Sequence, residues 1–396
     1  MNIRKILMVV YSNFPQDARL RREAEALIKA GYQVDMICLI RPDQAKEENV
    51  YGVNVFRVNI SKSRSTKGKY IALYTSFFIR SFFKLNQLFL KKRYDVIHIH
   101  NMPDFLVFLS IIPKLFGSKV ILDLHDPTPE MLMTKFNEVE GSRLTKLLEW
   151  QERVSIKFAH SIITTNKSFL DKFISRGCPP NKVNIVMNSP LESIFNKFIN
   201  KSKNISDEKK FVLMYHGLIV ERHGLDIAVG AFNLLRDKIP GLEFIVFGDG
   251  EFAPVFIEQI AKFKLEKVIN YFGPVSIQKI AETIPGCNVG IIPNKLGSFT
   301  KINFPTRIFE YLCMKKPVVV PRTQGIKDYF DEGSIFYFDS DNVENLAEVI
   351  FNIYSDPDKT SEVVNKGYQI YQKYSWENQS KALNNIYENL LVKKTS

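Results

Sequence analysis

Along almost the whole chain, short continuous apolar runs alternate with longer segments of helical periodicity. In the first half the runs are KILMVVYS, QVDMICLI, DVIHIH, KVILDLHD, HSIITT and KVNIVMN; in the second they are KFVLMYHG, EFIVFGDG, NVGIIP and KPVVVP. Runs that stay apolar at successive positions predict strands buried on both faces, as in parallel sheets covered by helices on either side. Strands that alternate with helices predict crossover units, and so an α/β protein. The segment Asn188–Lys210 breaks the pattern, being rich in Asn, Ser and Lys with little periodicity, and reads as a linker. The expected organisation is two doubly wound, Rossmann-like domains facing a cleft: residues 1–190, a linker at 191–209, residues 210–374, and an amphipathic C-terminal helix over 375–396 that crosses back to the first domain.

One helix carries a feature its packing does not require. In NFPTRIFEYLCMKKPVVV, Asn303–Val320, Pro305 suits a first helical turn, and Ile308, Phe309, Leu312 and Cys313 form an apolar stripe. Thr306, Arg307, Glu310 and Met314 fall opposite. The strand that follows puts the start of this helix at the carboxyl edge of a sheet, where open α/β folds bind ligands and free N–H groups favour phosphate. Glu310, one turn on, has the chemistry to accept hydrogen bonds from a ribose hydroxyl pair; an exposed carboxylate paired with a neighbour is the plain alternative.

Length and charge narrow the picture. The 396 residues, 45% hydrophobic and 24% charged, suffice for two cores. Cys38, Cys178, Cys287 and Cys313 are widely separated and form neither a metal-site pattern nor a disulfide framework, which favours a cytoplasmic setting. MNIRKILMVVYS reads as a first strand rather than a signal peptide, and no apolar run is long enough for a membrane span. Residues 1–190 hold 29 Lys and Arg against 17 Asp and Glu, whereas residues 191–396 hold 25 of each, so the whole net charge of +12 belongs to the first half. Much of it lies between Ile60 and Arg93, where Lys62, Arg64, Lys67, Lys69, Arg80, Lys84, Lys91, Lys92 and Arg93 meet no acidic residue. There Tyr70, Leu73, Phe77, Phe78, Ile79, Phe82, Phe83, Leu88 and Phe89 give a broad apolar sector. A helix packed on the sheet by one side and offering the other to anionic lipid fits this pattern. No nucleic-acid reading motif accompanies the charge.

Other candidate groups lie at strand ends. Gly248, Asp249 and Gly250 close EFIVFGDG, and HGLIVERHGLD sets Gly217 after a strand and Arg222 and His223 before a helix, where an arginine fork could grip a diphosphate. His125 and Asp126 follow the strand KVILDL. His98 and His100 share one strand face, but no third ligand follows at metal-site spacing, so packing and acceptor contact are expected rather than a metal. DSD at Asp339–Asp341 precedes a helix and reads as its cap.

These residues together resemble the retaining nucleotide-sugar glycosyltransferases of family four, with the two-domain GT-B fold. The resemblance covers nearly the whole chain and is most specific in PTRIFEYLCMKKPVVV; HGLIVERHGLD, FGDGE, YFGPVSIQKI and the closing YSWE helix fall in family order. It implies that Glu310 holds the nucleotide ribose, that amides of Thr306, Arg307 and Ile308 hold the diphosphate, and that Pro274 and Val275 contact the base. It implies that Gly217, Arg222, His223, Gly248, Asp249 and Gly250 complete the donor site. It also implies that His125 and Asp126 stand beside the donor sugar, with Asp17, Arg19, His100 and Asn101 on the acceptor side. Three departures stand out. Ile302 occupies the place of the family's other glutamate, Leu218 and His223 replace a basic pair, and NFPQDARLRRE lacks the glycine pair of the first loop.

The expected activity is metal-independent transfer of a sugar, with retention, from a nucleotide diphosphate donor such as a UDP-sugar to a glycan or lipid-linked acceptor. The setting is cell-surface polysaccharide synthesis at the inner face of the membrane, with no cofactor. A nucleotide-sugar 2-epimerase of the same architecture and a binding protein without turnover are the alternatives.

Overall fold

The computed structural model describes residues 3–60, 67–136, 138–199 and 210–392. The chain divides into two units, residues 1–187 with 379–396, and residues 188–378. In the first unit β1 (Lys5–Asn13), β2 (Gln33–Leu39), β3 (Glu47–Val50), β4 (Val53–Val58), β5 (Val96–His100), β6 (Lys119–Leu124), β7 (Ser161–Thr164) and β8 (Val183–Ile185) form one sheet of order β3-β4-β2-β1-β5-β6-β7-β8. All neighbours are parallel except β3, which runs antiparallel to β4. The chain winds outward from β1 through β2 in one direction and from β5 in the other, so the switch point lies between β1 and β5, where the carboxyl ends of a doubly wound sheet open a crevice.

The second unit holds β9 (Phe211–His216), β10 (Leu242–Phe247), β11 (Ile269–Tyr271), β12 (Val289–Ile291), β13 (Val318–Pro321) and β14 (Phe336–Phe338), all parallel, in the order β11-β10-β9-β12-β13-β14. Its switch point falls between β9 and β12. Leu213, Tyr215, Phe232, Phe244, Val246, Val289 and Ile291 are buried in the core on which the helices Leu225–Leu235 and Val343–Ser355 pack.

One expectation about the connections changes. The start of the expected linker is built into the second unit: the helix Glu192–Phe195 buries Phe195, and Glu192 Oε1 accepts from the Tyr371 hydroxyl and the Trp376 amide, each at 2.9 Å. Residues 200–209 lie outside the described residues. The C-terminal helix Trp376–Leu391 belongs to the first unit from Gln379 onward. Gln379 Oε1 accepts from the Met187 amide at 2.8 Å, and Leu383 and Tyr387 are fully buried.

The helix Lys67–Lys92 is apolar on two sides. Phe77, Leu85, Leu88 and Phe89 are buried, while Ile71, Ile79, Phe83 and Leu90 are exposed along the opposite face. Lys62 and Arg64, and the side chains of Lys67 and Tyr70, lie outside the described residues. No helix among the described residues is long and apolar enough to cross a membrane.

Candidate active site

In the second unit the donor candidates collect at the carboxyl edge of the sheet. β9 ends at His216, followed by Gly217 and the short turn Glu221–His223; β10 runs into Gly248, Asp249 and Gly250; and β11 into Pro274 and Val275. The helix Arg307–Cys313 starts at the same edge. The glycines serve the chain before any ligand. A Cβ on Gly248 would stand 1.8 Å from the Gly217 carbonyl oxygen, and one on Gly250 2.3 Å from that of Ile219, so only glycine lets the two loops cross. Asp249 is exposed and its Oδ1 accepts from the Gly250 amide at 2.8 Å.

Arg307 lies over the end of β9. Its Nη1 donates to the His216 carbonyl at 2.8 Å and its guanidinium sits 4.6 Å from the Tyr215 ring centroid, which fixes a half-buried cation beside Gly217. Glu310 is not the clean-face carboxylate expected from the sequence. Its Oε2 lies 2.5 Å from Nε2 of His216, a buried residue that the sequence reading passed over. The Tyr311 hydroxyl lies 3.0 Å from His216 Nδ1 and 2.8 Å from the Met214 carbonyl, so the imidazole is held between Tyr311 and Glu310. Glu310 is thereby fixed in orientation, and one of its oxygens is committed to His216.

Further residues narrow the site. Ile308 is fully buried and its N–H donates to the Pro305 carbonyl at 3.0 Å, so of the three amides expected to hold a diphosphate, those of Thr306 and Arg307 remain. Met314, expected beside Glu310, is buried because the helix ends at Cys313 and the chain turns there. His223 supplies no charge: burial, then Arg307, pushes its pKa down to about 3, and Nδ1 lies 2.7 Å from the Leu218 carbonyl, which it meets as a donor. The cation of this turn is Arg222, half-buried next to it. Asp339–Asp341 does not cap the helix Val343–Ser355; Asn342 does, accepting from the Asn345 amide, while Asp339 pairs with Arg322.

In the first unit the predicted residues gather at the switch point, but facing inward. His98 and His100 on β5 share a face with Asp123 of β6, and His125 follows on the same side. His125 Nδ1 lies 3.0 Å from Asp123 Oδ1 and its Nε2 3.3 Å from His100 Nδ1, with the residue only 4% exposed. Burial, then the nearby Arg19, lowers the His125 pKa; burial and His98 hold His100 well below the usual imidazole range. Burial alone would raise Asp123, yet the surrounding histidines, His125 foremost, hold it well below the carboxylate range. The His125 ring is therefore packed inside this cluster, between Asp123 and His100. Asn101 is a splint, accepting from the His125 amide at 3.0 Å and donating to the Asp126 carbonyl and Asp104 Oδ1. Asp17 caps the helix Ala18–Lys29 through the amides of Arg19 and Leu20, and Arg19 Nη2 stands 3.5 Å from its carboxylate. Of the first-unit candidates, Asp126, Asp17 and Arg19 are only half-buried.

Two family models match the chain: a glycosyl transferase 4-like domain over residues 16–189 and glycosyl transferases group 1 over residues 196–370. An uncharacterised glycosyltransferase of Methanocaldococcus jannaschii is 22% identical over 379 residues, covering 92% of each chain. The chitobiosyldiphosphodolichol beta-mannosyltransferase of Kluyveromyces lactis is 21% identical over 350 residues, covering 80% of this chain and 76% of that one. Among solved structures, sucrose-phosphate synthase from Thermosynechococcus elongatus superposes with a TM-score of 0.79 at 16% identity over 98% of this chain and 99% of that one. Anabaena HepE in complex with UDP and glucose superposes with 0.69 at 16% identity over 98% and 100%. With both halves of the chain matched and two parallel-sheet units in place, this protein belongs to the family-four type of glycosyltransferases with the GT-B fold.

Proposed function

We propose that this glycosyltransferase transfers a sugar, with retention, from a UDP-sugar to a glycan or lipid-linked acceptor in cell-surface polysaccharide synthesis. The observation that carries the donor half is the carboxyl edge of the second sheet, where Arg307 is pinned over Gly217 and Glu310 is oriented by His216. Arg222 and Arg307 meet the diphosphate and stabilise the charge that develops on the leaving group, and Glu310 accepts from the ribose. Fixed donors of this kind need not reorganise as the bond breaks. Pro274 and Val275 border the base. HepE, solved with UDP and glucose, supports the donor class, and the Kluyveromyces relative, named for a dolichol-diphosphate-linked sugar chain, supports the lipid-linked acceptor.

The acceptor half of this reading has the enzyme act at an anionic membrane surface on the inner leaflet. Ile79, Phe83 and Leu90 on the helix Lys67–Lys92 are 51%, 69% and 73% exposed, and Leu115 and Phe116 at the end of the neighbouring helix Ile111–Leu115 are 80% and 65% exposed. Phe116 meets Phe89 of the longer helix and Arg93 stacks on both rings, so the two helices share one surface. Arg80 and Lys91 are exposed on it. Lys84 and Lys92 are not available to lipid, because they pair with Glu47 and Asp35.

The test is turnover with a panel of UDP-sugars and a synthetic lipid diphosphate acceptor, followed by determination of the product anomer. A product of the donor's own anomeric configuration, formed in chelator, is expected. Sugar-nucleotide isomerisation without acceptor would assign a 2-epimerase instead, and nucleotide binding without turnover would assign a binding protein.

A further inference from the structure

The inward-facing cluster of the first unit has the composition of a metal centre. From β5 come His98 and His100, from β6 Asp123, and from the helix Ala18–Lys29 Glu23; one donor atom of each lies within 4.8 Å of all the others, and all four residues are buried. Asp123 Oδ2 stands 3.6 Å from His98 Nε2 and 3.4 Å from His100 Nδ1, and Glu23 Oε2 is 3.9 Å from His100 Nδ1. Bond lengths of about 2.0–2.2 Å around a tetrahedral ion put neighbouring ligand atoms roughly 3.4 Å apart. The separations of 3.4, 3.6 and 3.9 Å need only slight contraction to reach that edge.

The unpaired atoms point the same way. Among the described residues His98 Nε2 and Glu23 Oε2 have no hydrogen-bond partner although their residues are 0% and 4% exposed, which leaves two buried polar atoms unsatisfied in the cluster. The outer contacts suit ligands. His98 Nδ1 lies 2.7 Å from the Tyr387 hydroxyl, so donation to that oxygen would leave Nε2 with a lone pair for an ion, and His125 Nδ1 stands 3.0 Å from the other oxygen of Asp123. Two carboxylates would neutralise a divalent charge, and two imidazoles select zinc or a related first-row ion over magnesium or calcium.

We propose that Glu23, His98, His100 and Asp123 bind a divalent transition metal, of which zinc fits the donor set best, as a structural ion tying β5, β6 and the helix Ala18–Lys29 together. The ion enters as the unit folds, since its ligands have no exposed face. It takes no part in the donor chemistry assigned to the second unit, so chelator added to the folded enzyme leaves turnover intact.

The experiment measures metal content of the purified full chain after passage over a chelating resin. It then unfolds the chain in denaturant with chelator and refolds it with and without Zn²⁺ or Co²⁺. About one ion per chain, a tetrahedral cobalt spectrum and a higher unfolding temperature in the metal-refolded sample are expected. Glu23→Gln, which preserves volume, is expected to lower zinc affinity at least about tenfold, because it replaces an anionic ligand by a neutral one. His98→Gln provides a second variant if that chain does not refold. Refolded wild type that takes up neither ion overturns the proposal, as does undiminished binding in a folded Glu23→Gln or His98→Gln chain, which would place the ion elsewhere.

Discussion

Both units bring histidine and carboxylate together at the carboxyl edge of a parallel sheet, and they do so in opposite ways. In the second unit the pair His216–Glu310 sits behind a half-buried surface that also presents Arg307 and Arg222. In the first, three imidazoles and two carboxylates close on one another beneath the surface, with His98, His100 and Asp123 essentially inaccessible. A polar group with one face fixed by the protein and another turned outward can bind a ligand at little cost in reorganisation. One sealed on all sides must be satisfied internally, so it holds the fold together.

That contrast is most easily broken at Asp123. Asp123→Ala would leave three buried imidazoles around a missing anion, and we expect a loss of about 3–5 kcal/mol in denaturant unfolding, the usual cost of removing one partner of a buried charged network. A loss below about 1 kcal/mol would show the cluster to be far less sealed than its geometry. Glu310→Ala should have a smaller and double effect: about 1–3 kcal/mol of stability, because His216 loses its partner, and about 1.5–3 kcal/mol of nucleotide affinity. Glu310→Gln, which can still meet His216 Nε2, should recover most of the stability. Undiminished stability in the alanine variant would mean that the His216 contact is dispensable.

The pH response gives a finer test. His223 is held neutral when folded, with its pKa pushed down to about 3 by burial and then by Arg307, against 6.5 in the unfolded chain. Between those values the unfolded chain binds the extra proton. Stability from this residue is thus present above about pH 6.5 and is lost as pH falls toward 3. His223→Gln should flatten the stability profile over that window, read by thermal unfolding; an unchanged profile would remove burial as the cause. The smallest effect expected is at the lipid surface. Each of Arg80→Ser and Lys91→Ser should weaken sedimentation with anionic vesicles by about 1 kcal/mol, more at low salt, with neutral vesicles unaffected. Equal binding to both vesicle types would return the helix Lys67–Lys92 to an ordinary packing role.

The sequence made the interior of each sheet readable and its margins unreadable. Strands buried on both faces, such as β5 and β13, announce themselves as apolar runs. The strands that escaped are peripheral: β3 and β4 with EENV and VNVFRV at one edge of the first sheet, and the three-residue β11 and β14 at the edges of the second. An edge strand needs few apolar positions, so it leaves little pattern. The site divides similarly. Arg307 and Glu310 stand out because they lie on the polar side of the helix, opposite its apolar stripe. His216 was hidden at the end of an apolar strand, and Glu23 in a charged helix whose buried face includes it. Asp123 could have been found: it alternates with His125 as His98 does with His100, and pairing the two strands puts all four on one face.

The claim that the second unit's carboxyl edge holds the donor nucleotide is tested most directly by calorimetric titration of UDP into wild type and Glu310→Ala, at a temperature where both chains are folded. Saturable UDP binding to the wild type is expected, with an affinity lower by roughly tenfold to a hundredfold in the variant, the equivalent of one charge-assisted hydrogen bond. Equal affinity in the two chains, with the variant merely less stable, would contradict it and leave Glu310 as the partner of His216 alone.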